Sequence, residues 1–349
     1  YLLNFLENVH TENIRIDFLT NEVSPELETF LQKYHSRIFA IPNLKHPVGQ
    51  YREVCRILEA ESYDIVYLNI STAIDCIAAW AAKKKKVPRI FIHSHTSGND
   101  CENPVKRMIF DSIHKFCRLS LYRAATEYYG CSEKAGLWMF PEKIVKSDRF
   151  QMIFNAVDLK KFTYSSAVRD DVRKELNLEN KFVVGHVGNF VYQKNHYFLI
   201  DIFEELKRKC PEAVLLLLGR GERFETVEKR IKEKGLEDSV RLLGFRKDPD
   251  RLFQAMDFFL LPSYFEGLPT VGVEAQCTGL PSLMSDTITT EVKITENCWF
   301  LPLKEKPEVW ADFILKHRET DREHISWIGK KEAYSLETLK KQQQRLLEK

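Results

Sequence analysis

Short apolar runs alternate with longer amphipathic stretches along nearly the whole chain, and this alternation restricts the fold more than any single residue does. Ile14-Arg-Ile-Asp-Phe-Leu-Thr20, Asp64-Ile-Val-Tyr-Leu-Asn69, Arg89-Ile-Phe-Ile-His93 and Thr126-Glu-Tyr-Tyr-Gly-Cys-Ser132 read as strands, with a shorter one at 37–41. The segments 1–9, 25–34, 51–61, 73–84 and 106–123 carry a helical period. The pattern then starts afresh. Lys181-Phe-Val-Val-Gly-His-Val-Gly188, Ala213-Val-Leu-Leu-Leu-Leu218, Val240-Arg-Leu-Leu-Gly244 and Phe258-Phe-Leu-Leu261 read as strands, followed by strand then loop over 282–290. Helices are expected at 197–210, 225–234 and 251–256, and from 312 to the end. Strands alternating with helices at these spacings predict α/β architecture, with parallel sheets covered on both faces. Ligands in such sheets gather at the carboxyl ends of the strands.

At 349 residues and 44% hydrophobic, the chain is long enough for two domains of ordinary size. Its 52 basic and 50 acidic residues leave a formal charge of +2, so no global field favours nucleic acid. The eight cysteines show neither a Cys-x-x-Cys pair nor a Cys/His ligand spacing, and they read as thiols of a reducing cytoplasm. No apolar run approaches the roughly 18 residues of a membrane span and no signal peptide opens the chain, so it is not expected to cross a membrane. Charge is uneven locally. Ten basic residues (83, 84, 85, 86, 89, 106, 107, 115, 118, 123) face three acidic ones (100, 102, 111) between Lys83 and Arg123, a local +7. From Lys106 to Arg123 they interleave with Met108, Ile109, Phe110, Ile113, Phe116, Leu119 and Leu121, as in an amphipathic helix. Attachment to an anionic inner leaflet is one reading. Packing of the apolar face on the sheet, with solvated lysines opposite, is the expectation.

One stretch carries the chemistry: Pro262-Ser-Tyr-Phe-Glu-Gly-Leu-Pro-Thr-Val-Gly-Val-Glu-Ala-Gln276. It follows an apolar run and leads into an Ala-containing segment, so it reads as strand, loop, helix. Pro269 suits a first helical position and helix is expected from near Thr270. A helix start offers unpaired N–H groups and the positive end of the backbone dipole, which attract phosphate. Glu266 lies just before that start and Glu274 about one turn inside it. Two carboxylates flanking an anion site suit a ligand with hydroxyls at both ends and phosphate between, such as a sugar nucleotide. Either glutamate alone is equally a solvated helix-end charge.

Glu266, seven intervening residues and Glu274, within Glu-Gly-Leu-Pro, resemble the E-x7-E signature of family 4 retaining glycosyltransferases of GT-B fold, particularly bacterial exopolysaccharide and capsule enzymes. The resemblance implies two Rossmann-like, doubly wound parallel-sheet domains facing a cleft, with a C-terminal helix crossing back to the first. It places an acceptor-side domain at 1–157, a nucleotide-sugar-binding domain at 158–330 and the returning helix at 331–349. A first strand and Gly-rich loop precede the opening helix in that family and are missing here. Phe150-Gln-Met-Ile-Phe-Asn155-Ala-Val-Asp158 resembles the crossing between domains, with Phe154 where the family often has Pro and Asn155 and Asp158 as turn formers.

Further matches assign roles. His95, in His-Ser-His-Thr, corresponds to a histidine over the donor sugar, while His93 still belongs to the strand and points into packing. Gly188-Asn-Phe-Val-Tyr-Gln-Lys194-Asn resembles Gly-Arg-Phe-x-x-Gln-Lys-Asn, whose Arg and Lys clamp the donor diphosphate. Lys194 is retained. Asn189 replaces the arginine, losing charge and bidentate geometry. Gly219 and Gly221 flank Arg220, where the family more often has an acid; close approach of backbone to ligand would explain the glycines. Phe245 and Arg246 correspond to a loop bordering the nucleotide base. Ser263, Gly267, Leu268, Pro269 and Thr270 complete the donor set with Glu266 on the sugar and Glu274 on the ribose.

The expected function is transfer, with retention, of a hexose from a nucleoside diphosphate sugar, UDP-linked, to a hydroxyl of a glycan or lipid-linked acceptor in cell-surface polysaccharide biosynthesis. His95, Glu266 and Lys194 are the expected catalytic residues. No Asp-x-Asp constellation stands in a suitable place, so neither metal nor other cofactor is expected. The location would be cytoplasmic, with a peripheral contact to the membrane's inner face. A sugar-nucleotide epimerase, a glycosidase and a non-catalytic subunit of the same fold stay open as alternatives, the last supported by Asn189.

Overall fold

The structure of the chain, a computed structural model, describes residues 2–9, 13–329 and 331–348. The helix expected from 312 to the end is two helices, Pro307–Lys316 and Leu336–Glu348, so the closing helix expected at 331–349 starts five residues later, after a 3-10 turn at Lys331–Tyr334; Tyr1 and Lys349 lie outside the described residues. The chain divides into two compact units.

The first unit comprises Tyr1–Ser97, Val105–Asn155 and Leu336–Lys349. Strands β1 (Phe18–Thr20) and β2 (Ile38–Ala40) form a separate two-stranded parallel ladder. Strands β3 (Ile65–Ile70), β4 (Arg89–Ser94), β5 (Glu127–Gly130) and β6 (Phe150–Met152) form a parallel sheet in chain order. Its core joins Ile90, Ile92 and Tyr128 of the strands to Ala79, Ala82, Leu121, Met139 and Phe140 of the covering helices. Ser132 caps the helix Glu133–Met139 by accepting from the Ala135 amide, as its position suggests. The closing helix Leu336–Glu348 buries Leu339, Gln343 and Leu346, and Asn8 of the opening helix Leu2–Val9 donates to Gln343 Oε1 at 2.8 Å.

The helix Pro104–Leu121 packs opposite to expectation. Its buried residues are His114 and Leu121, while Val105, Met108, Ile109, Phe110, Ile113, Phe116 and Leu119 are exposed. The inward side is held by directional bonds instead. His114 Nδ1 accepts from the Ala73 amide at 3.1 Å, its Nε2 donates to the Trp138 carbonyl at 3.0 Å and its ring stacks on Trp138. Arg118 donates to the carbonyls of Leu137 and Phe140. A polar face can dock where most of its donors meet acceptors, although here Arg118 Nε is buried without one among the described residues.

The second unit comprises Gly98–Pro104 and Ala156–Ser335. Gly98–Pro104 joins it because Gly98 lies against the Phe265 ring, Asp100 accepts from the Gln193 amide at 2.6 Å and Glu102 pairs with Arg223 at 3.3 Å. Strands β7 (Phe182–Val187), β8 (Ala213–Leu218), β9 (Val240–Gly244), β10 (Phe258–Leu261), β11 (Ser282–Ser285) and β12 (Cys298–Leu301) form one all-parallel sheet in the order β12-β11-β10-β7-β8-β9. Leu215, Leu217, Phe258 and Leu260 pack against Leu199 and Phe203 of the helix His196–Lys209 and Trp310 of the helix Pro307–Lys316. From β7 the chain builds outward through β8 and β9, then crosses to place β10 on the other side of β7. That reversal is a topological switch point, and the crevice outside the carboxyl ends of β7 and β10 is where such sheets bind ligands.

Candidate functional site

The loops that leave β7 and β10 hold the central residues of the predicted site. After β7, Tyr192–Lys194 makes one turn of 3-10 helix and Asn195 takes a left-handed conformation at φ 54°. This turn aims Lys194 and Gln193 at the loop after β10. Lys194 Nζ donates to Glu266 Oε1 at 2.7 Å, and Gln193 Nε2 donates to Glu266 Oε2 at 2.7 Å and to the Phe265 carbonyl at 3.0 Å. Two backbone-directed bonds fix the register of the loops: the Tyr264 amide donates to the Gln193 carbonyl at 2.8 Å, and Asn195 Nδ2 to the Pro262 carbonyl at 3.1 Å. Glu266 is buried, and its carboxylate can be held there only because charge-assisted donors reach both oxygens.

Four residues on, the helix Thr270–Cys277 begins. It starts at Thr270 as expected, and Pro269, read as a first helical residue, is its cap and offers no side-chain acceptor. The helix therefore starts with backbone donors unsatisfied by a side chain, and its positive end adjoins the Lys194–Glu266 pair in the chain. Ser263 is fully buried, its carbonyl accepting from Ser285 Oγ and Thr287 Oγ1, while its own Oγ has no hydrogen-bond partner among the described residues. Glu274, on the helix, makes no hydrogen bond or ion pair among the described residues. Burial raises its carboxyl to about 7, moderated by Lys161 and reinforced by Asp250.

Beneath the Lys194 loop, His186 Nδ1 meets the Leu260 carbonyl at 2.9 Å and His196 stacks on Phe190. Burial lowers both rings, to about 3 and about 2, so they are neutral beside the Lys194 ammonium. The Gly219–Gly221 turn has a different cause from the one expected. A Cβ on Gly219, at φ 147°, would lie 1.9 Å from the Gly188 carbonyl oxygen, and one on Gly221, at φ 155°, 2.5 Å from that of Phe190. The close neighbour that excludes side chains is the protein's own backbone, bonded through Gly188 N to Leu218 O and Phe190 N to Arg220 O.

The profile of the Glycosyl transferases group 1 family matches residues 168–316, a span that contains Gly188, Lys194, Glu266 and Glu274. The chain carries a glycosyltransferase group 1 domain. Over its length it is 27% identical to the EpsF protein of Bacillus subtilis, covering 94% of this chain and 88% of that one. It is 26% identical to the UDP-Gal:alpha-D-GlcNAc-diphosphoundecaprenol alpha-1,3-galactosyltransferase of Escherichia coli, covering 81% and 74%. Among solved structures, Anabaena HepE in complex with UDP and glucose superposes with a TM-score of 0.73 over 99% of this chain and 94% of that one, at 17% identity. The sucrose-phosphate synthase of Thermosynechococcus elongatus gives 0.73 over 100% and 92%, at 18%. The fold is GT-B: α/β, with parallel sheets in two domains.

Within the group 1 domain the structure brings together Lys194, Glu266, Ser263 and the turn through Gly267, Leu268 and Pro269 to Thr270. Gly188 lies under the Lys194 side chain, and a Cβ there would come within 3.1 Å of the Lys194 Cδ. Asn189 is exposed. Phe245 is exposed and lies under the Arg220 guanidinium, 5.1 Å from its ring centre, whereas the Arg246 side chain turns to Asp248 at 2.7 Å. His95 belongs to the first unit, just beyond the carboxyl end of β4. Its Nε2 donates to Asn69 Oδ1 at 2.8 Å, and burial lowers it to about 4, so it acts as a neutral ring. His93 is wholly buried and bonded to the Tyr67 hydroxyl at 2.7 Å. Gln193 and Asp100 escaped the sequence reading. Gln193 stood in the Gln-Lys-Asn string, and its signal was adjacency to Lys194; Asp100 is nearly a hundred residues away and had none. Tyr192 and Tyr264, stacked at 4.7 Å, were likewise missed.

Proposed function

We propose that the chain transfers a hexose, with retention, from a UDP-sugar to a hydroxyl of a glycan or lipid-linked glycan in the building of a cell-surface polysaccharide. The observation that carries this reading is the ion pair of the half-buried Lys194 with the buried Glu266 at the switch point, one loop away from the start of the helix Thr270–Cys277. A diphosphate at that helix start would meet the backbone donors and the Lys194 ammonium together. Both stabilise charge that grows on the leaving group, and preorganised charge of this kind is the largest single contribution in most enzymes. Glu266, fixed by Gln193 and Lys194, accepts from hydroxyls of the transferred sugar, and Glu274 accepts from the ribose. Phe245 and Arg246 border the base, and Asn189 donates a neutral hydrogen bond where the family's arginine would place charge. His95, neutral and oriented by Asn69, positions the sugar or the attacking hydroxyl.

The reaction as read needs no metal, because Lys194 and the helix dipole supply the positive charge. The relatives support the substrate classes: the Escherichia coli enzyme is named for UDP-galactose and a diphosphoundecaprenol-linked acceptor, and a Campylobacter jejuni relative for a diphospho-undecaprenol-linked acceptor. The HepE structures hold UDP, UDP-glucose, or UDP with glucose. We place the reaction in the cytoplasm, with a peripheral contact to the inner leaflet where such acceptors are presented. Among the described residues no helix is long and apolar enough to cross a membrane.

The test is incubation with radiolabelled UDP-sugars and a lipid-linked or soluble glycan, with and without EDTA. Label moved to the acceptor in the α configuration, undiminished by EDTA, is the expected result. Epimerised donor, or UDP-sugar binding with no turnover, would overturn the transferase reading.

A further inference from the structure

Gln193 does more than hold Glu266. Its backbone amide donates to Asp100 Oδ1 at 2.6 Å, its carbonyl accepts from the Tyr264 amide at 2.8 Å, and its side-chain amide reaches the Phe265 carbonyl and Glu266 Oε2. One residue thereby gathers the loop after β7, the loop after β10 and the segment Gly98–Pro104. Gly98 permits the last approach, because a Cβ there would overlap the Phe265 ring. Two aromatic side chains flank this strut. Tyr192 and Tyr264 stack with ring centres 4.7 Å apart and planes 18° from parallel. Neither ring is among the described residues of the unit's apolar core; Tyr264 is exposed and Tyr192 half-buried. Large aromatic rings kept at a surface beside a candidate site are a binding feature before they are a packing one.

Chemistry says what the patch can hold. A pyranose ring has a face of C–H groups and a rim of hydroxyls. The first suits the electron-rich face of an aromatic ring, and the second suits a carboxylate that accepts. Asp100 is exposed, gives one carboxylate oxygen to the Gln193 amide and keeps the other for a donor. Partial burial raises its carboxyl, the Gln193 amide eases it, and the charges of Glu266 and Lys194 reach it, so it stands at the edge of that pair. Tyr264 and Glu266 are two residues apart in one loop. The transferred sugar is read on Glu266, and the attacking hydroxyl has to come from a neighbouring ring. We propose that Tyr192, Tyr264 and Asp100 form a saccharide subsite for the acceptor, with a pyranose ring of the glycan lying on the exposed Tyr264 face and one of its hydroxyls donating to Asp100 Oδ2. This deepens, and rests on, the reading of a hexosyltransferase that acts on glycans.

The experiment pairs saturation-transfer NMR on a simple saccharide, methyl N-acetyl-α-D-glucosaminide with UDP present, with kinetics of sugar transfer from UDP-sugar to a soluble glycan. The wild-type chain should pass saturation from its aromatic protons to the C–H protons of one face of the probe. Tyr264→Ala and Tyr192→Ala should lose most of that transfer, whereas Tyr264→Phe should keep it, because the ring face and not the hydroxyl makes the contact. In the kinetics, Tyr264→Ala should raise the acceptor KM by about tenfold and Asp100→Asn by about three- to tenfold, with the UDP-sugar KM moving less than about twofold. Asparagine still accepts from the Gln193 amide, so that variant should keep the wild-type melting temperature. A wild type that passes no saturation, or alanine variants that pass as much as the wild type, would overturn the proposal. So would a rise in the UDP-sugar KM in place of the acceptor's, which would give the rings to the donor, or a fall in melting temperature with neither constant changed, which would make the stack a packing device. Saccharide binding without any sugar transfer would instead sink the transferase reading and leave the saccharide subsite standing.

Discussion

Lys194 holds the buried Glu266 carboxylate at 2.7 Å, and in the proposed reaction the same ammonium supplies the cation for the leaving diphosphate. Lys194→Ala should lower kcat at saturating donor by about 10²–10³-fold, the usual effect of removing one preorganised donor. Its melting temperature should also fall, because Glu266 is left with less compensation for burial. Turnover within a few-fold of wild type would remove Lys194 from the chemistry. Glu274 makes a pH prediction. Burial raises its carboxyl from 4.5 to about 7, so between those values the folded chain keeps a proton that the unfolded chain has released. The stability tied to this residue is therefore full below the unfolded value and is lost as pH rises through about 7. Glu274→Gln should remove that loss and stabilise the chain near pH 8 by up to about 3 kcal/mol, read from thermal melts across pH. Ribose hydroxyls favour the ionised carboxylate, so donor binding should release a proton and tighten from about pH 6 to about pH 8. Calorimetry in buffers of different ionisation heat measures that proton, and its persistence in Glu274→Gln would place the ribose elsewhere.

At the scale of elements, the loops after β7 and β8 are locked together by backbone at Gly219. Gly219→Ala should cost about 3 kcal/mol or more, because the added carbon meets the Gly188 carbonyl and the φ of 147° is strained for alanine. An unchanged urea midpoint would contradict that packing. The helix Thr270–Cys277 is held at its far end by Gln276. This fully buried amide donates to the carbonyls of Gly272 and Val292 and accepts from the amides of Ile294 and Thr295. Gln276→Leu should destabilise the second unit by about 2–3 kcal/mol, since several buried backbone groups lose their partner. Equal urea midpoints for variant and wild type would show that the helix does not depend on it. Sequence pattern anticipated the strands that are uninterrupted apolar runs, and Ala213–Leu218 and Phe258–Leu261 appear at the expected bounds. It missed the helix Ser166–Glu175, which is polar on most of its surface and is held largely by Arg169 and Arg173 on Asp257. It also missed β12, four residues with no period of their own. The helix Pro104–Leu121 was legible as amphipathic, but not its orientation, because partner carbonyls and rings distant in sequence decide that face.

For the whole molecule, buried histidines set the acid limit. His93, His95 and His114 in the first unit, and His186 and His196 in the second, are all lowered by burial. Each is neutral when folded and free to protonate when unfolded, so its stability is full above about 6.5 and lost as pH falls. Stability should decline by about 1.4 kcal/mol per pH unit for each of His95, His186 and His196, and unfolding at about pH 5 should take up about three protons from these three rings. Urea titrations at a series of pH values give that slope, and a flat profile between about pH 6 and about pH 5 would contradict the buried neutral rings. The candidate-site residues of the second unit stood in two short strings, Gln193 among them, whereas Asp100 needed the fold to bring it to the Gln193 amide. The claim on which the function rests is that a pyrophosphate lies at the amino end of the helix Thr270–Cys277. A crystal structure with UDP measures it directly: the β-phosphate should lie against Lys194 Nζ and the amides that open the helix, with the ribose hydroxyls on Glu274. UDP bound away from that helix, with Lys194 making no phosphate contact, would contradict it.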